Sequence, residues 1–285
     1  MSDIGIIGNG FVGGAVAYGF RNEKPMIYDI NPELSTHSFD EVAKCKYLFI
    51  CLPTPMVSET GGEANTSIVE DCLERLYHDK EQVIILKSTI PVGTTKRLAK
   101  KFYQRNLVHC PEFLTAANAK HDFVNADRTV IGSPYFRDGV YEKYSEMAKE
   151  LFLKVFPDTP VHTMKSCESE LVKYTANCFL ATKVGFFNMI FTLGDKLGLD
   201  YNRVLGAVLS DPRIHESHTM VPGPDGDYGF GGSCFPKDIN ALITTLQNND
   251  VSSYILESVW RDNMKFRTNW DWANNTSAVR ANETR

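Results

Sequence analysis

The chain has 285 residues, more than one hydrophobic core usually organises, so two packed domains are the first expectation. Hydrophobic residues at 43% and charged residues at 23% exclude the disordered and collagen-like classes. The formal net charge is -5 and no Lys/Arg cluster is interleaved with aromatics, which argues against a nucleic-acid partner.

The N-terminus runs into Ile4-Gly5-Ile6-Ile7 without a basic leader, and no uninterrupted apolar run approaches the length of a membrane span, so the expectation is a cytoplasmic protein with no membrane partner. The seven cysteines, Cys45, Cys51, Cys72, Cys110, Cys167, Cys178 and Cys234, contain no CxxC pair and read as reduced thiols. His215-Glu216-Ser217-His218 lacks the spacing that sets two histidines on one helix face, so no metal is expected.

In chain order, six short β-branched or aromatic runs alternate with helix-length segments: Ile4 to Ile7, Met26 to Ile30, Tyr47 to Leu52, Val83 to Leu86, Leu107 to Cys110, and Thr129 to Ile131. That pattern predicts an α/β fold with a doubly wound, mainly parallel sheet. Strand signals stop after Pro160. Apolar residues at helical spacing predict one long helix from Ser166 to Leu199, with Glu168 and Glu170 as first-turn acids and Gly198 as a stop. Further helices are predicted over Val204 to Leu209, Ile239 to Gln247 and Ser253 to Phe266, and the polar end from Ala273 to Arg285 is expected to fray. The predicted division is an α/β domain over 1–165 and a helical domain over 166–285.

Gly8-Asn9-Gly10-Phe11-Val12-Gly13 follows the first strand directly and opens a helix of small residues, and Asp29 closes the second strand. This is the dinucleotide fingerprint: glycines permit a tight turn and close approach of a pyrophosphate to the helix N-terminus. An acid at 29 can accept the ribose 2′-hydroxyl and would repel a 2′-phosphate, which favours NAD over NADP.

Gly229-Phe230-Gly231-Gly232-Ser233-Cys234-Phe235-Pro236-Lys237-Asp238 is a glycine-rich loop that delivers a cysteine just ahead of an expected helix. A helix N-terminus and the neighbouring Lys237 favour a thiolate, which makes Cys234 a candidate nucleophile. Lys173 and Asn177 lie four apart and share one helix face, and Asp238 would stand one turn above the thiol, where it could order a water with Lys173.

The same segment resembles the active-site signature of the UDP-glucose/GDP-mannose dehydrogenase family. Other segments match that family in order: Pro53-Thr54-Pro55, Ser88-Thr89-Ile90-Pro91-Val92-Gly93-Thr94-Thr95, Pro111-Glu112-Phe113-Leu114, Glu170 to Asn177, and Asp211-Pro212-Arg213-Ile214. The resemblance implies a four-electron oxidation of a sugar-nucleotide primary alcohol by NAD, through a thiohemiacetal and a thioester on Cys234. It implies Pro53, Thr54, Ser88, Thr89 and Lys237 at the cofactor beside Gly8 to Gly13 and Asp29. Glu112, Phe113, Leu114, Lys173, Asn177, Arg213, Tyr228, Gly229, Phe230 and Gly231 are implied at the substrate. Lys173 and Asn177 would steady oxyanions, Thr89 would place a water, and Glu112 would be the hydrolytic base. Arg213 would meet the substrate across a homodimer built on the long helix, with Phe186, Phe187, Ile190 and Phe191 as contributors.

Against the family pattern, a third nucleotide-gripping domain is not expected, Ala116 stands where an acid is common, and the path from Asp29 to Tyr47 is short. The stretch from Arg213 to Cys234 is long, with Val221 to Gly226 read as a loop. Two alternatives stand beside the enzyme reading: a two-electron dehydrogenase of the hydroxyacid or 6-phosphogluconate type, which would not need Cys234, and a catalytically degenerate NAD-binding partner protein.

Overall fold

A computed structural model describes residues 2–76, 81–103, 106–115, 117–135 and 142–279. The elements in chain order are β1 (Ile4–Ile7), α1 (Phe11–Gly19), β2 (Met26–Tyr28), α2 (Phe39–Val42), β3 (Tyr47–Ile50), β4 (Met56–Ser58), β5 (Gly61–Ala64), α3 (Ser67–Arg75), β6 (Val83–Leu86) and α4 (Thr94–Lys101). They continue with β7 (Leu107–His109), α5 (Ala119–Val124), β8 (Thr129–Ser133), α6 (Glu142–Val155), β9 (Val161–Lys165), α7 (Ser166–Lys196), α8 (Tyr201–Val208), α9 (Phe235–Gln247) and α10 (Tyr254–Phe266). The chain divides into two compact units, Met1–Thr54 with Thr66–Lys173, and Pro55–Asn65 with Tyr174–Arg285.

The first unit is a seven-stranded sheet of order β2-β1-β3-β6-β7-β8-β9, parallel except where β7 meets β8. Successive side chains on a strand point to opposite faces, and the strands are buried on both, which is why they read as unbroken apolar runs. Ile7, Leu48, Ile50, Ile84 and Leu86 pack with Val42, Val69, Leu73 and Leu98 on one face. Ile4, Ile6, Phe49, Ile85 and Val108 pack with Val16, Phe123, Ala148 and Phe152 on the other. This is the doubly wound architecture the sequence predicts, and it sets the ends of β1, β3, β6 and β7 at one edge.

The second unit is helical apart from the β4–β5 hairpin, which the sequence reading did not foresee. Trp260 and Trp272 donate indole N–H bonds to the carbonyls of Thr60 and Glu59 at the hairpin tip. Phe187, Tyr201 and Val221 form a separate core with Ile190, Phe191 and Leu205 around them.

Several expectations need correction. Strand signals do not end at Pro160: β9 pairs in parallel with β8 over five residues, and its half-exposed edge position explains why it lacks an apolar run. The second strand stops at Tyr28, because Asp29 turns toward the glycine loop and Ile30 is 92% exposed. The long helix stops at Lys196, with Gly198 left-handed (φ 67) and the amide of Leu199 closing onto the carbonyl of Gly194. The end of the chain is not frayed as far as it is described: Ala278 is buried, its carbonyl accepts the Met56 amide, and Trp272 is fully enclosed. Residues 280–285 lie outside the described residues, as does Ala116.

By length and composition α7 could cross a membrane, contrary to the reading from uninterrupted runs. Four of its polar side chains nonetheless have protein partners. Lys173 bonds Glu112, Asn177 bonds Asp238, Lys183 bonds the His215 carbonyl and Asn188 accepts the Gly229 amide. That is the behaviour of a helix inside a globular protein.

Candidate active site

The glycine turn after β1 is built by its own backbone. Gly8 is left-handed (φ 89), and a Cβ there would meet the Cys51 carbonyl oxygen at 2.6 Å. A Cβ on Gly13 would lie 1.8 Å from the Gly8 oxygen, so only glycine lets α1 start so close to the turn. Gly10 has nothing within 4 Å of a Cβ position. Helix α1 has no side-chain cap and no acid in its first turn, which leaves its N-terminal amides available to an anion. Asp29 accepts the Asn9 amide at 2.6 Å and the Asn31 amide at 2.9 Å, and the Asn9 side chain reaches the Leu34 carbonyl. Phe11 is 43% exposed, while Val12 packs against the sheet core. These residues fit the pyrophosphate and ribose of a dinucleotide.

The loops after β3 and β6 are stitched together. The Ser88 hydroxyl donates to the Leu52 carbonyl at 2.7 Å, and the Thr54 hydroxyl to the Thr89 carbonyl, on either side of Pro53. Glu170 is fully buried and holds the start of α4: its carboxylate accepts the Gly93 and Thr95 amides and the Thr95 hydroxyl. Burial pushes its carboxyl up to about 7 although all three bonds oppose the shift. The sequence reading gave Glu170 to the first turn of its own helix; it caps a different one.

After β7, Glu112 and Lys173 form a buried ion pair at 3.0 Å, and the second Glu112 oxygen accepts the Leu114 amide at 2.7 Å. Burial pushes the Glu112 carboxyl up, but the Lys173 charge, the Leu114 amide and Lys87 outweigh it and hold Glu112 below the usual carboxylate range. The Phe113 ring lies under two cations, Arg128 at 4.4 Å and Lys173 at 5.5 Å, and Leu114 packs toward the sheet core. Lys87, which sequence reasoning missed, is buried and donates to the Pro111 carbonyl at 3.2 Å, anchoring this loop from the end of β6.

In the second unit, Cys234 occupies the N-cap position of α9 with Pro236 in the first turn, so the helix begins four residues ahead of its predicted start. Asp238 is completely buried. It forms an ion pair with Lys237 and accepts the Asn177 amide at 2.6 Å. Within the first unit Lys173 pairs with Glu112, and within the second Lys237 pairs with Asp238. Asn177 spends one of its amide donors on Asp238.

The loop ahead of Cys234 is held by side chains from distant segments. Asn188 accepts the Gly229 amide at 2.9 Å, and Asn263 grips both backbone groups of Phe230, at 2.7 and 2.9 Å. Neither asparagine was singled out from sequence, since each sits inside an ordinary helical pattern. The Tyr228 ring leans on Phe191 at 5.6 Å, and Gly231 is packed against Arg267 and Asp271. Arg213 is 87% exposed in its side chain and forks onto its own Asp211 at 2.6 Å. All seven cysteines are free of disulfides.

The family model for the NAD-binding domain of the UDP-glucose/GDP-mannose dehydrogenases matches residues 29–155, and that for their central domain matches 167–265. The glycine turn precedes the first match and stands on its geometry. The UDP-glucose 6-dehydrogenase of Rickettsia bellii (strain RML369-C) is 35% identical over 232 residues, covering 79% of this chain and 50% of its own length. UDP-glucose 6-dehydrogenase YwqF of Bacillus subtilis (strain 168) is 33% identical, covering 78% and 49% respectively. The chain spans about half the length of the curated relatives it matches. A solved UDP-glucose dehydrogenase from the hyperthermophilic archaeon Pyrobaculum islandicum superposes with a TM-score of 0.78 at 29% identity, covering 93% of this chain and 68% of that one. The two domain matches, one following the other over most of the sequence, put this chain in the UDP-glucose/GDP-mannose dehydrogenase family.

Proposed function

We propose that this protein is an NAD-dependent sugar-nucleotide 6-dehydrogenase that takes a primary alcohol to the carboxylate in two oxidations, with the carbon held on Cys234 between them. The observation that carries this reading is the placement of Cys234 at the N-cap of a thirteen-residue helix, after a glycine loop, with a buried carboxylate one turn on. NAD, when bound, accepts one hydride per molecule and two molecules are consumed.

The chain's own residues supply the rest. Asp238, paired with Lys237, receives the proton that leaves the alcohol as it becomes an aldehyde. The Cys234 sulfur then adds to the aldehyde carbon, and the thiohemiacetal oxygen that gains charge is steadied by Asn177 and by Lys173 one turn earlier on α7. Loss of the second hydride leaves a thioester. Glu112, kept ionised by Lys173, takes a proton from the water that Thr89 orients, the water oxygen attacks the acyl carbon, and the C–S bond breaks to return the thiolate. A two-electron dehydrogenase would have no use for Cys234, which is the feature favouring the four-electron reading.

The reading includes a cytoplasmic homodimer. Leu171, Phe179, Phe186, Met189 and Leu193 lie three, four, seven or eight residues apart along α7, as positions on one helix face do, with Leu197 just past its end, each about half exposed or more. Of the residues first expected at such an interface, Phe187, Ile190 and Phe191 pack inside the second unit and Phe186 remains outside. Light scattering at micromolar concentration should give twice the chain mass, and Phe186→Glu should return the monomer; a native monomer would remove the dimer.

The experiment that tests the activity is a panel of sugar nucleotides with NAD, read by NADH absorbance. The expected stoichiometry is two NADH per sugar nucleotide consumed. One NADH per sugar nucleotide would favour the two-electron alternative, and none across the panel would favour the partner protein.

A further inference from the structure

Arg267 is the most enclosed arginine near the thiol loop, its side chain 2% exposed. It donates to Asp225 at 2.6 Å, to Asp271 at 3.1 Å and to the Asn269 carbonyl at 3.2 Å, and its Nε lies 3.4 Å from Asp227. One planar guanidinium thus gathers three carboxylates from two stretches of chain. Asp227 in turn accepts the amides of Thr268 and Asn269, which locks the 223–228 loop to the segment after α10.

Asp271 links this knot to the thiol. Both of its oxygens accept the Gly232 amide, at 3.2 and 3.0 Å, two residues before Cys234. At Gly231 a Cβ would stand 2.3 Å from an Arg267 nitrogen and 2.4 Å from an Asp271 oxygen, so the loop backbone lies directly on the knot. Asn188 and Asn263 hold the upstream residues Gly229 and Phe230, whereas Asp271 holds the last peptide before Ser233 and Cys234. Trp272, fully buried with its indole on the hairpin, fixes the backbone that carries Asp271.

We propose that Arg267 and Asp271 are positioning residues for Cys234: they cast the exit of the glycine loop, and Arg267 neutralises the three acids gathered against that loop. The central-domain match ends at 265, so neither residue falls within it. The proposal rests on the reading of Cys234 as the nucleophile, but its test can be read without turnover. Removing Arg267 leaves the acids uncompensated against the loop that carries Cys234, which disfavours a thiolate at its end. Removing Asp271 releases the Gly232 amide and loosens the reacting sulfur, a displacement that costs rate more than binding.

The test is iodoacetamide alkylation of the full chain across pH, with Cys234 followed by peptide mapping. Arg267→Gln should move the Cys234 midpoint upward relative to native. Asp271→Ala should lower kcat on the order of tenfold or more with KM little changed. Asp271→Asn, which keeps an acceptor for Gly232, should recover most of that loss. Gly231→Ala, which crowds the knot without removing it, should disturb the same profile if Arg267→Gln fails to fold. A native alkylation profile in folded Arg267→Gln and Gly231→Ala, or a native kcat in Asp271→Ala, would overturn the positioning role. A shifted profile in a chain that turns over no sugar nucleotide would instead sink the activity and leave the positioning intact.

Discussion

Two glycine-rich loops in this molecule each deliver a helix N-terminus, and they are held in opposite ways. The Gly8 to Gly13 turn is shaped by its own backbone, which leaves no room for a Cβ at Gly8 or Gly13: the Gly13 Cβ would strike the Gly8 carbonyl, five residues away, and one carboxylate, Asp29, completes it. The Gly229 to Cys234 loop is moulded by side chains from α7, α10 and the segment after it, with Asn188, Asn263, Arg267 and Asp271 standing 33 to 41 residues from the backbone they hold. The first loop is a local solution for binding a phosphate; the second is a tertiary solution for aiming a sulfur.

The sharpest way to break the comparison is at the backbone-limited loop. Gly13→Ala should cost about 3 kcal/mol, since the clash is with a carbonyl that cannot swing away, and this outweighs the ~1 kcal/mol that alanine gains in a helix. Chemical denaturation measures it directly. A near-native stability would show that the turn relaxes.

An effect of similar size is expected where the two units' charges are settled by single partners. In the native protein Glu112 lies below the ordinary carboxylate value of 4.5, so its pairing contributes stability above that pH, lost as pH falls through the lowered value. Lys173→Met leaves the carboxylate buried and unpaired, at a cost of about 3 to 5 kcal/mol near neutrality. Burial then raises the Glu112 value, so the variant should gain stability as pH falls from 7 toward 5, where the native Glu112 contribution is flat. Thermal melts across that range decide the sign; parallel native and variant curves would remove Lys173 as the group that keeps Glu112 ionised.

The smallest effect on stability should fall at Gly10, where the turn faces open space. Gly10→Ala should stay within about 1 kcal/mol of native, because nothing lies within 4 Å of the added carbon, and yet weaken NAD. Asp29→Ala should narrow the preference for NAD over NADP. Calorimetric titration of both nucleotides checks each, and an unchanged preference would take the ribose contact away from Asp29.

The same contrast explains what could be read in advance. The sheet strands β1, β3, β6 and β7 are buried on both faces, so their apolar runs are visible, while β9, half-exposed at an edge and made by pairing with β8, leaves no such run. The dinucleotide turn is legible because Gly8, Gly10, Gly13 and Asp29 keep a fixed local spacing. Cys234 was legible through its glycine loop, and Lys173 with Asn177 through one helical turn. One pairing was not: Lys173 and Glu112 stand 61 residues apart, on a helix and a loop joined only by the fold, whereas Lys237 and Asp238 are neighbours in sequence. Asn188, Asn263 and Arg267 act through their side chains on a remote backbone, and a helical polar residue that does so looks in sequence like any other. The hairpin and the ordered segment after α10 were hidden for a related reason, since Trp260, Trp272 and Ala278 give them a core that neither stretch has alone.

The central claim is that the substrate carbon is carried on Cys234 between two oxidations, and intact-mass spectrometry during turnover with NAD tests it most directly. The account predicts a transient adduct of sugar-nucleotide acyl mass that maps to Cys234, two NADH per sugar nucleotide, and neither adduct nor carboxylate product in Cys234→Ala. Carboxylate formed with two NADH at near-native rate by Cys234→Ala would contradict it.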